Sequence, residues 1–240
     1  MERSVIMQIF YCANVSDGRA LFSREESGHC LKVLRMRRGE SLSFTDGKGT
    51  LYEGVISDDN PEGMTVTVTS AVSRYGRRNY RIHIAISPLK NEDRLEWFIE
   101  KAVETGIDEI TPLICNRTEK KKIRRERLEN LILSATKQSV RCYLPHLNEP
   151  VPFNEFIKSP YTGKKLIASC DPDIVRTAIT SSFCRDEEVT ILIGPEGDFT
   201  SDELTNAITA GFVPVHIGSS RLRTETAGVA ACCSVYLANI

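Results

Sequence analysis

The sequence predicts a chain in two parts: a small β-barrel-like region, then an α/β domain built on a largely parallel sheet. Three observations carry this. Residues 7 to about 73 hold short runs of β-forming residues separated by turn signals. Residues 81–240 alternate such runs with segments of helical spacing, the pattern of a parallel sheet with crossover helices. Between them, Ser73-Arg-Tyr-Gly-Arg-Arg-Asn79 is polar and basic, as a connector is. The expected division is 1–73, a linker at 74–80, and 81–240.

In the first region, strands are predicted over Met7 to Cys12, Ser41 to Thr45, Leu51 to Ser57 and Met64 to Val72. The last, Met-Thr-Val-Thr-Val-Thr-Ser-Ala-Val, alternates apolar and hydroxyl side chains as a half-buried strand does. Asp46-Gly-Lys-Gly49 is a hairpin turn between two of them. One helix interrupts the strands around Ser23 to Val33.

In the second region, Arg81 to Ser87 is a strand, and Leu95, Phe98, Ile99 and Ala102 then fall on one helical face that ends at Gly106. Ile110 to Cys115 is the next strand, and Leu128, Leu131, Ile132 and Ala135 mark a helix. There follow a strand at Lys165 to Ser169, a helix at Asp173 to Ser181 and a strand at Val189 to Ile193. A helix at Ser201 to Ala210, a strand at Val213 to Ile217 and a helix from Thr226 complete the chain. Thr200 and Glu203 form a capping box, and Gly211 suits the far end of that helix.

Composition narrows the function. Hydrophobic residues make up 41% and charged residues 26%, with a net charge of -1, so any nucleic-acid contact must come from local patches. The longest apolar segment, Ala227 to Ala238, is too short to span a bilayer, and Met1-Glu-Arg-Ser-Val-Ile-Met7 lacks the apolar core of a signal peptide. The eight cysteines contain no Cys-x-x-Cys pair, and Cys232-Cys233 are adjacent within an apolar helical pattern; His29, His83, His146 and His216 are scattered. Reduced thiols in a cytoplasmic protein without a metal site are expected.

Ligands of open α/β sheets bind beyond the carboxyl ends of the strands. Two such ends stand out: Gly194-Pro-Glu-Gly197, and Ile217-Gly-Ser-Ser-Arg-Leu-Arg-Thr-Glu-Thr226. Each alone reads equally well as a connecting loop; together, at successive strand ends, they favour a binding site. There is no Gly-x-x-x-x-Gly-Lys-Ser/Thr loop and no Gly-x-Ser-x-Gly elbow, and Gly47-Lys-Gly49 sits in a hairpin rather than a dinucleotide fingerprint. Basic clusters lie at Lys32 to Arg38, Arg74 to Arg81 and Arg117 to Arg127, the last with seven Lys or Arg against two glutamates. Such runs are commonly solvated helix faces, yet one in each segment also fits a composite phosphate-binding surface.

Leu-Ile-Gly-Pro-Glu-Gly-Asp-Phe-Thr-Ser-Asp-Glu-Leu, followed by Ile-Gly-Ser-Ser-Arg-Leu-Arg-Thr-Glu-Thr-Ala, closely resembles the paired signature of the RsmE family of 16S ribosomal RNA uridine-N3 methyltransferases, members of the SPOUT superfamily. Segments at His29 to Glu40, Leu89 to Leu113 and Ala135 to Pro145 resemble the family too, so the likeness runs from about residue 7 to the C-terminus. The resemblance implies a SPOUT-type parallel-sheet domain with a deep C-terminal trefoil knot, a PUA-like N-terminal domain, S-adenosyl-L-methionine as cofactor and a homodimer. It implies a cofactor pocket formed by Leu192, Ile193, Gly194, Pro195, Glu196 and Gly197 on one side, with Ile217, Gly218, Leu222, Arg223, Thr224, Thr226 and Ala227 on the other. It implies 16S ribosomal RNA, within the small ribosomal subunit, as partner, met by His29, Lys32, Arg35, Arg37, Arg38, Arg117, Gln138 and Arg141.

This sequence departs from the family pattern at Asp198, where a second glycine is usual, at Gln8, where arginine is common, and at Lys137, where glutamate is common. In the implied reaction the uracil N3 proton leaves and negative charge spreads onto the ring carbonyls. Arg223 is the expected stabiliser of that charge, and Glu225 either assists proton removal or orients the arginine. Two alternatives stay open: another SPOUT methyltransferase with a different target atom, and a non-catalytic RNA-binding protein. Cofactor binding separates the second from the enzymes, and mapping the methylated atom separates the enzymes.

Overall fold

Asp17 and Gly18 both take positive φ (49° and 72°), the mirror-image turn that suits a tight hairpin. They join two short strands of the first region in the computed structural model, which describes residues 8–240. The six strands there are β1 (Phe10–Tyr11), β2 (Asn14–Ser16), β3 (Arg19–Leu21), β4 (Ser41–Thr45), β5 (Thr50–Asp58) and β6 (Thr65–Ser73). They form one sheet in the order β1-β4-β5-β6-β3-β2, antiparallel except for β1 beside β4. Met7, where the first strand was expected to begin, lies outside the described residues, and pairing starts at Phe10. The β2–β3 hairpin is an addition to the expected strands, although its Asp-Gly turn was present in the sequence. The Asp46–Gly49 turn joins β4 and β5 as expected, with Asp46 Oδ1 accepting from the Lys48 and Thr50 amides.

The sheet packs Phe10, Ala20, Phe22, Phe44, Ile56, Met64 and Val66 into one core. Ser23 caps the expected helix by accepting from the Glu26 amide, and α1 (Arg24–Gly28) runs on into a π-turn at His29–Val33.

In the second region the strands are β7 (Arg81–Ile86), β8 (Glu109–Ile114), β9 (His146–Leu147), β10 (Val151–Pro152), β11 (Lys164–Ala168), β12 (Thr177–Ala178), β13 (Glu188–Ile193) and β14 (Val213–His216). Every pairing among them is parallel, in the order β10-β8-β7-β13-β11-β14-β12, with β9 also on β8. The helices are α2 (Glu92–Thr105), α3 (Arg125–Gln138), α4 (Phe153–Phe156), α5 (Ser201–Thr209) and α6 (Thr224–Ala238). Asn91 caps α2, and Gly106 ends it in the left-handed region (φ 103°). The central strands are apolar on both faces, as in a sheet covered on both sides: Ile84, Ile86, Leu166, Ile167, Ile191 and Leu192 are all buried.

One element is corrected. The helix expected over Asp173 to Ser181 is instead an extended segment with β12 and a short 3-10 turn at Ile179–Ser181. Asp171 Oδ1 accepts the Asp173 amide in a local turn around Pro172, and the Arg176 guanidinium bonds the Ser169 carbonyl at 2.7 Å. Thr177 and Ala178 then pair with Val215 and His216, so tertiary pairing outweighs the helical spacing of Ile174 and Ala178.

The chain groups into two units: the described residues of Met1–Arg77 with Leu133–Leu144, and Arg78–Ile132 with Pro145–Ile240. In the first, Thr45 Oγ1 donates to the Cys142 carbonyl (3.2 Å), and Lys137 forms an ion pair with the buried Glu26. Among the described residues no helix is long and apolar enough to cross a membrane. All eight cysteines are free thiols, and Cys170 and Cys184 are exposed.

Candidate active site

Strand β13 ends at Ile193, and the chain folds back on itself at once. A Cβ on Gly194 would lie 3.1 Å from the Phe199 ring, so the absence of a side chain lets that ring cover the turn. Asp198 sits at φ 61°, a conformation glycine takes freely and Asp tolerates better than most residues. Its Oδ1 accepts the Phe199 amide at 2.8 Å, and its Oδ2 accepts the Cys170 amide at 2.8 Å and the Ser169 hydroxyl at 3.3 Å. Arg117 donates to the Gly197 carbonyl at 2.5 Å and to that of Phe199 at 3.3 Å. The capping box of α5 is formed, and the same Glu203 also accepts the Asn116 amide at 2.7 Å.

This loop, the loop after β14 and the loop after β11 enclose a cavity of about 1110 Å³. All three leave the carboxyl ends of neighbouring strands, the position where open α/β sheets bind ligands. Of the residues expected in the pocket, Ile193, Gly194, Pro195, Glu196, Ile217, Gly218, Leu222, Arg223, Thr224 and Ala227 line it. Leu192, Gly197 and Thr226 do not. Leu192 is buried in the core below, and the Gly197 Cβ direction faces Arg117 at 3.2 Å. A Cβ on Gly218 would meet nothing within 4 Å, so its backbone borders open space.

A third wall, Ala168 to Pro172 with Arg176, lies outside the residues expected in the pocket, and so does Arg94. The wall was findable, because Cys170-Asp-Pro-Asp173 follows a predicted strand at its carboxyl end, just as the other two loops do. Arg94 carried no signal, since one arginine in the first turn of a helix is unremarked.

Arg223 is the N-cap residue of α6 and lines the cavity; its carbonyl accepts the Ala227 amide at 2.8 Å, but its side chain makes no hydrogen bond or ion pair among the described residues. Its guanidinium is therefore available to a ligand. Glu225 does not line the cavity; it is buried, and its charge partner is Arg94 (Nε to Oε1, 3.8 Å) rather than Arg223. Its second oxygen has no partner among the described residues.

The residues expected to meet RNA divide between the units. His29, Lys32, Arg35, Arg37, Arg38, Gln138 and Arg141 fall in the first; Lys32, Arg35, Arg37, Arg38 and Gln138 are exposed, and His29 and Arg141 are half-buried. Arg117 falls in the second and holds the loop before α5. Much of its basic run is paired with acids: Lys120 and Arg124 with Glu92, Arg125 with Glu129 and Glu149, and Arg127 with Glu96.

The sequence profile of a family described as RNA methyltransferase domain matches residues 77–236, and one described as RNA methyltransferase PUA domain matches residues 22–69. The ribosomal RNA small subunit methyltransferase E of Buchnera aphidicola from Schizaphis graminum is 28% identical, over 87% of this chain and 86% of its own. A probable rRNA-methyltransferase from Porphyromonas gingivalis superposes with a TM-score of 0.90 at 37% identity, covering 97% of this chain and 98% of that one. The Neisseria gonorrhoeae ribosomal RNA small subunit methyltransferase E, solved bound to S-adenosyl methionine, superposes at 0.82 with 26% identity, over 97% and 98% of the two chains. With both domains matched, and the cavity formed by the loops that carry the signature, the chain belongs to the RNA methyltransferase family of the ribosomal RNA small subunit methyltransferase E enzymes.

Proposed function

We propose that this protein transfers a methyl group from S-adenosyl-L-methionine to N3 of a uridine in 16S ribosomal RNA, in the cytoplasm and on the small ribosomal subunit. The observation that carries the reading is the cavity at the ends of β11, β13 and β14, with the Arg223 side chain on its wall, unpartnered among the described residues. The residues present fit the cofactor. Ile193, Ile217, Leu222 and Ala227 offer apolar surface for a base, and Gly218 leaves its backbone facing open space. The volume of about 1110 Å³ lies just above the ~300–1,000 Å³ typical of small-molecule sites, room enough for a cofactor.

The cofactor supplies a methyl group already activated on a sulfonium. The protein must then hold the uracil with N3 in line, exclude water and accommodate the charge left as the N3 proton departs. A guanidinium carried at the start of α6 can face the ring carbonyls where that charge gathers, and the Arg223 side chain has no competing partner among the described residues. Glu225 is better placed to hold Arg94 than to act on substrate. The exposed arginines and Lys32 of the first unit, in a PUA-like domain over residues 1–73, would neutralise RNA phosphates without reading sequence.

Two further features belong to the reading. The order β7-β13-β11-β14, with α6 returning to pack on α2 and β7, supports a trefoil knot in the domain at 81–240. Helix α6 is apolar nearly all round, leaving Val229, Ala230 and Cys233 half-buried and Leu237 exposed, which supports pairing with a second copy of the chain. The test is methylation of small-subunit RNA by the purified protein with labelled cofactor, followed by mapping of the modified atom. Methyl found on another atom would replace the N3 assignment, and no cofactor binding by calorimetry would favour a non-catalytic RNA-binding protein.

A further inference from the structure

We propose that Asp198 is a positioning residue that locks two walls of the cofactor cavity to each other; this rests on the reading of the cavity as a cofactor site. The loop after β13 and the loop after β11 come from adjacent strands but are far apart in sequence. One carboxylate joins them. Oδ1 holds the Phe199 amide within its own loop, and Oδ2 reaches the Cys170 amide and the Ser169 hydroxyl of the other.

The tether continues on the far side. Ser169 Oγ accepts the Asp171 amide at 3.0 Å, and the Ser169 carbonyl accepts from Arg176. Ser169, Cys170, Asp171 and Arg176 all line the cavity, as Asp198 does. Hydrogen bonds from amides to an ionised carboxylate are stronger than neutral ones. The wall after β11 is therefore set before any ligand arrives, and a preformed wall lowers the ordering cost of binding.

The residue type matters for a second reason. At φ 61° glycine would be the unstrained choice, but glycine carries no acceptor, so it would leave the Cys170 and Phe199 amides without these bonds. The chain accepts an uncommon backbone conformation at Asp198 and gains a cross-loop clamp. Because the φ is one that glycine adopts freely, Asp198→Gly deletes the clamp without forcing the backbone, and a failure to fold is not expected.

Two variants, Asp198→Gly and Asp198→Asn, separate the outcomes against the wild type, each protein measured for S-adenosyl-L-methionine affinity, for kcat and KM, and for amide hydrogen exchange. Asp198→Gly is expected to raise the cofactor Kd and its KM about 10- to 100-fold, with the RNA KM unchanged and kcat at saturating cofactor little altered. Cys170 and Phe199 amides should exchange faster while core strand amides do not. Asparagine tolerates the same φ and keeps one acceptor oxygen, so Asp198→Asn should recover part of the affinity. Wild-type cofactor affinity in Asp198→Gly, or unchanged exchange at Cys170, would overturn the proposal. If the wild type itself binds no cofactor, the functional reading fails, and the exchange data alone still decide whether Asp198 clamps the two loops.

Discussion

The Nε of Arg94 lies 3.8 Å from Oε1 of Glu225, whose other oxygen is buried with no partner among the described residues. Arg94 reaches from α2 and Glu225 from the first turn of α6, so the pair spans the packing of those helices beside the cavity. Removing the guanidinium strands a buried carboxylate. Arg94→Ala should therefore cost about 1–3 kcal/mol of unfolding free energy, and adding Glu225→Gln should restore much of it. Urea unfolding of the single and double variants checks this; strictly additive losses would mean the two groups do not act as a pair.

Arg223 has the opposite character, a guanidinium on the cavity wall with no partner among the described residues. Arg223→Ala should leave the fold and cofactor affinity nearly unchanged while single-turnover methyl transfer falls by ~10²–10³. Arg223→Lys should rescue poorly, because a point charge does not reproduce a planar fork. Near-wild-type transfer by Arg223→Ala would remove it from the catalytic assignment.

Two glycines give a contrast in packing. A Cβ on Gly228 would stand 2.7 Å from the Phe98 ring and 3.1 Å from Ile86, so α6 could not keep its seat on α2 and β7. Gly228→Ala should destabilise by about 1–3 kcal/mol despite alanine's better helix propensity. At Gly218 the Cβ meets nothing within 4 Å, so Gly218→Ala should fold as the wild type does, and a bulky residue there should impede ligand entry. Thermal melts of the two variants, with cofactor titration of the second, distinguish the cases.

The legible part of the fold was whatever local chemistry decides. Thr200 and Glu203 gave the start of α5, Gly106 gave the end of α2, and the apolar run before Gly194 gave β13. What escaped was decided at a distance. The segment 173–181 is extended because Thr177 and Ala178 pair with β14, and nothing nearby in sequence says so. The site followed the same division. Two cavity loops announced themselves by glycines and charge, whereas Arg94 joins the cavity only because α2 packs against α6. In the basic run at 117–127, the ion pairs of Lys120, Arg124 and Arg127 were equally illegible, since their partners Glu92 and Glu96 come from α2.

His83 predicts a pH effect. Burial is the main cause that pushes its imidazole down to about 4; Glu109 opposes the shift, and Arg81 and His146 add to it. Its ring bonds the Thr111 hydroxyl at 2.8 Å and packs against Phe156. The folded pKa lies below the unfolded value, so between about 6.5 and 4 the unfolded chain binds the extra proton. Stability is then full above pH 6.5 and falls as pH drops through that window, by up to about 1.4 kcal/mol per pH unit from this group. Urea midpoints at pH 7, 6 and 5 check the slope, and His83→Gln should flatten it between pH 6.5 and 5. An unchanged slope in that variant would assign the pH dependence to other groups.

The thiols offer a direct probe of where the ligand sits. Cys12, Cys30, Cys115, Cys142 and Cys232 are buried, Cys233 is half-buried, and Cys170 and Cys184 are exposed. Burial also pushes the Cys30 thiol up to about 12 and raises that of Cys115, which removes the thiolate that an alkylating reagent needs. In the native protein a small maleimide should therefore modify Cys170 and Cys184 first and the buried thiols only on unfolding. The two exposed thiols differ in place, because Cys170 lines the cavity and Cys184 does not. Saturating S-adenosyl-L-methionine should slow modification of Cys170 about tenfold or more, in keeping with a ligand that buries most of its own surface in its pocket, and leave Cys184 unchanged. Peptide mapping by mass spectrometry reads both rates from one sample, with Cys184 as the internal control. Equal rates at Cys170 with and without the cofactor would place the ligand elsewhere, and slowing at both positions would point to a global change in the protein rather than occupancy of this cavity.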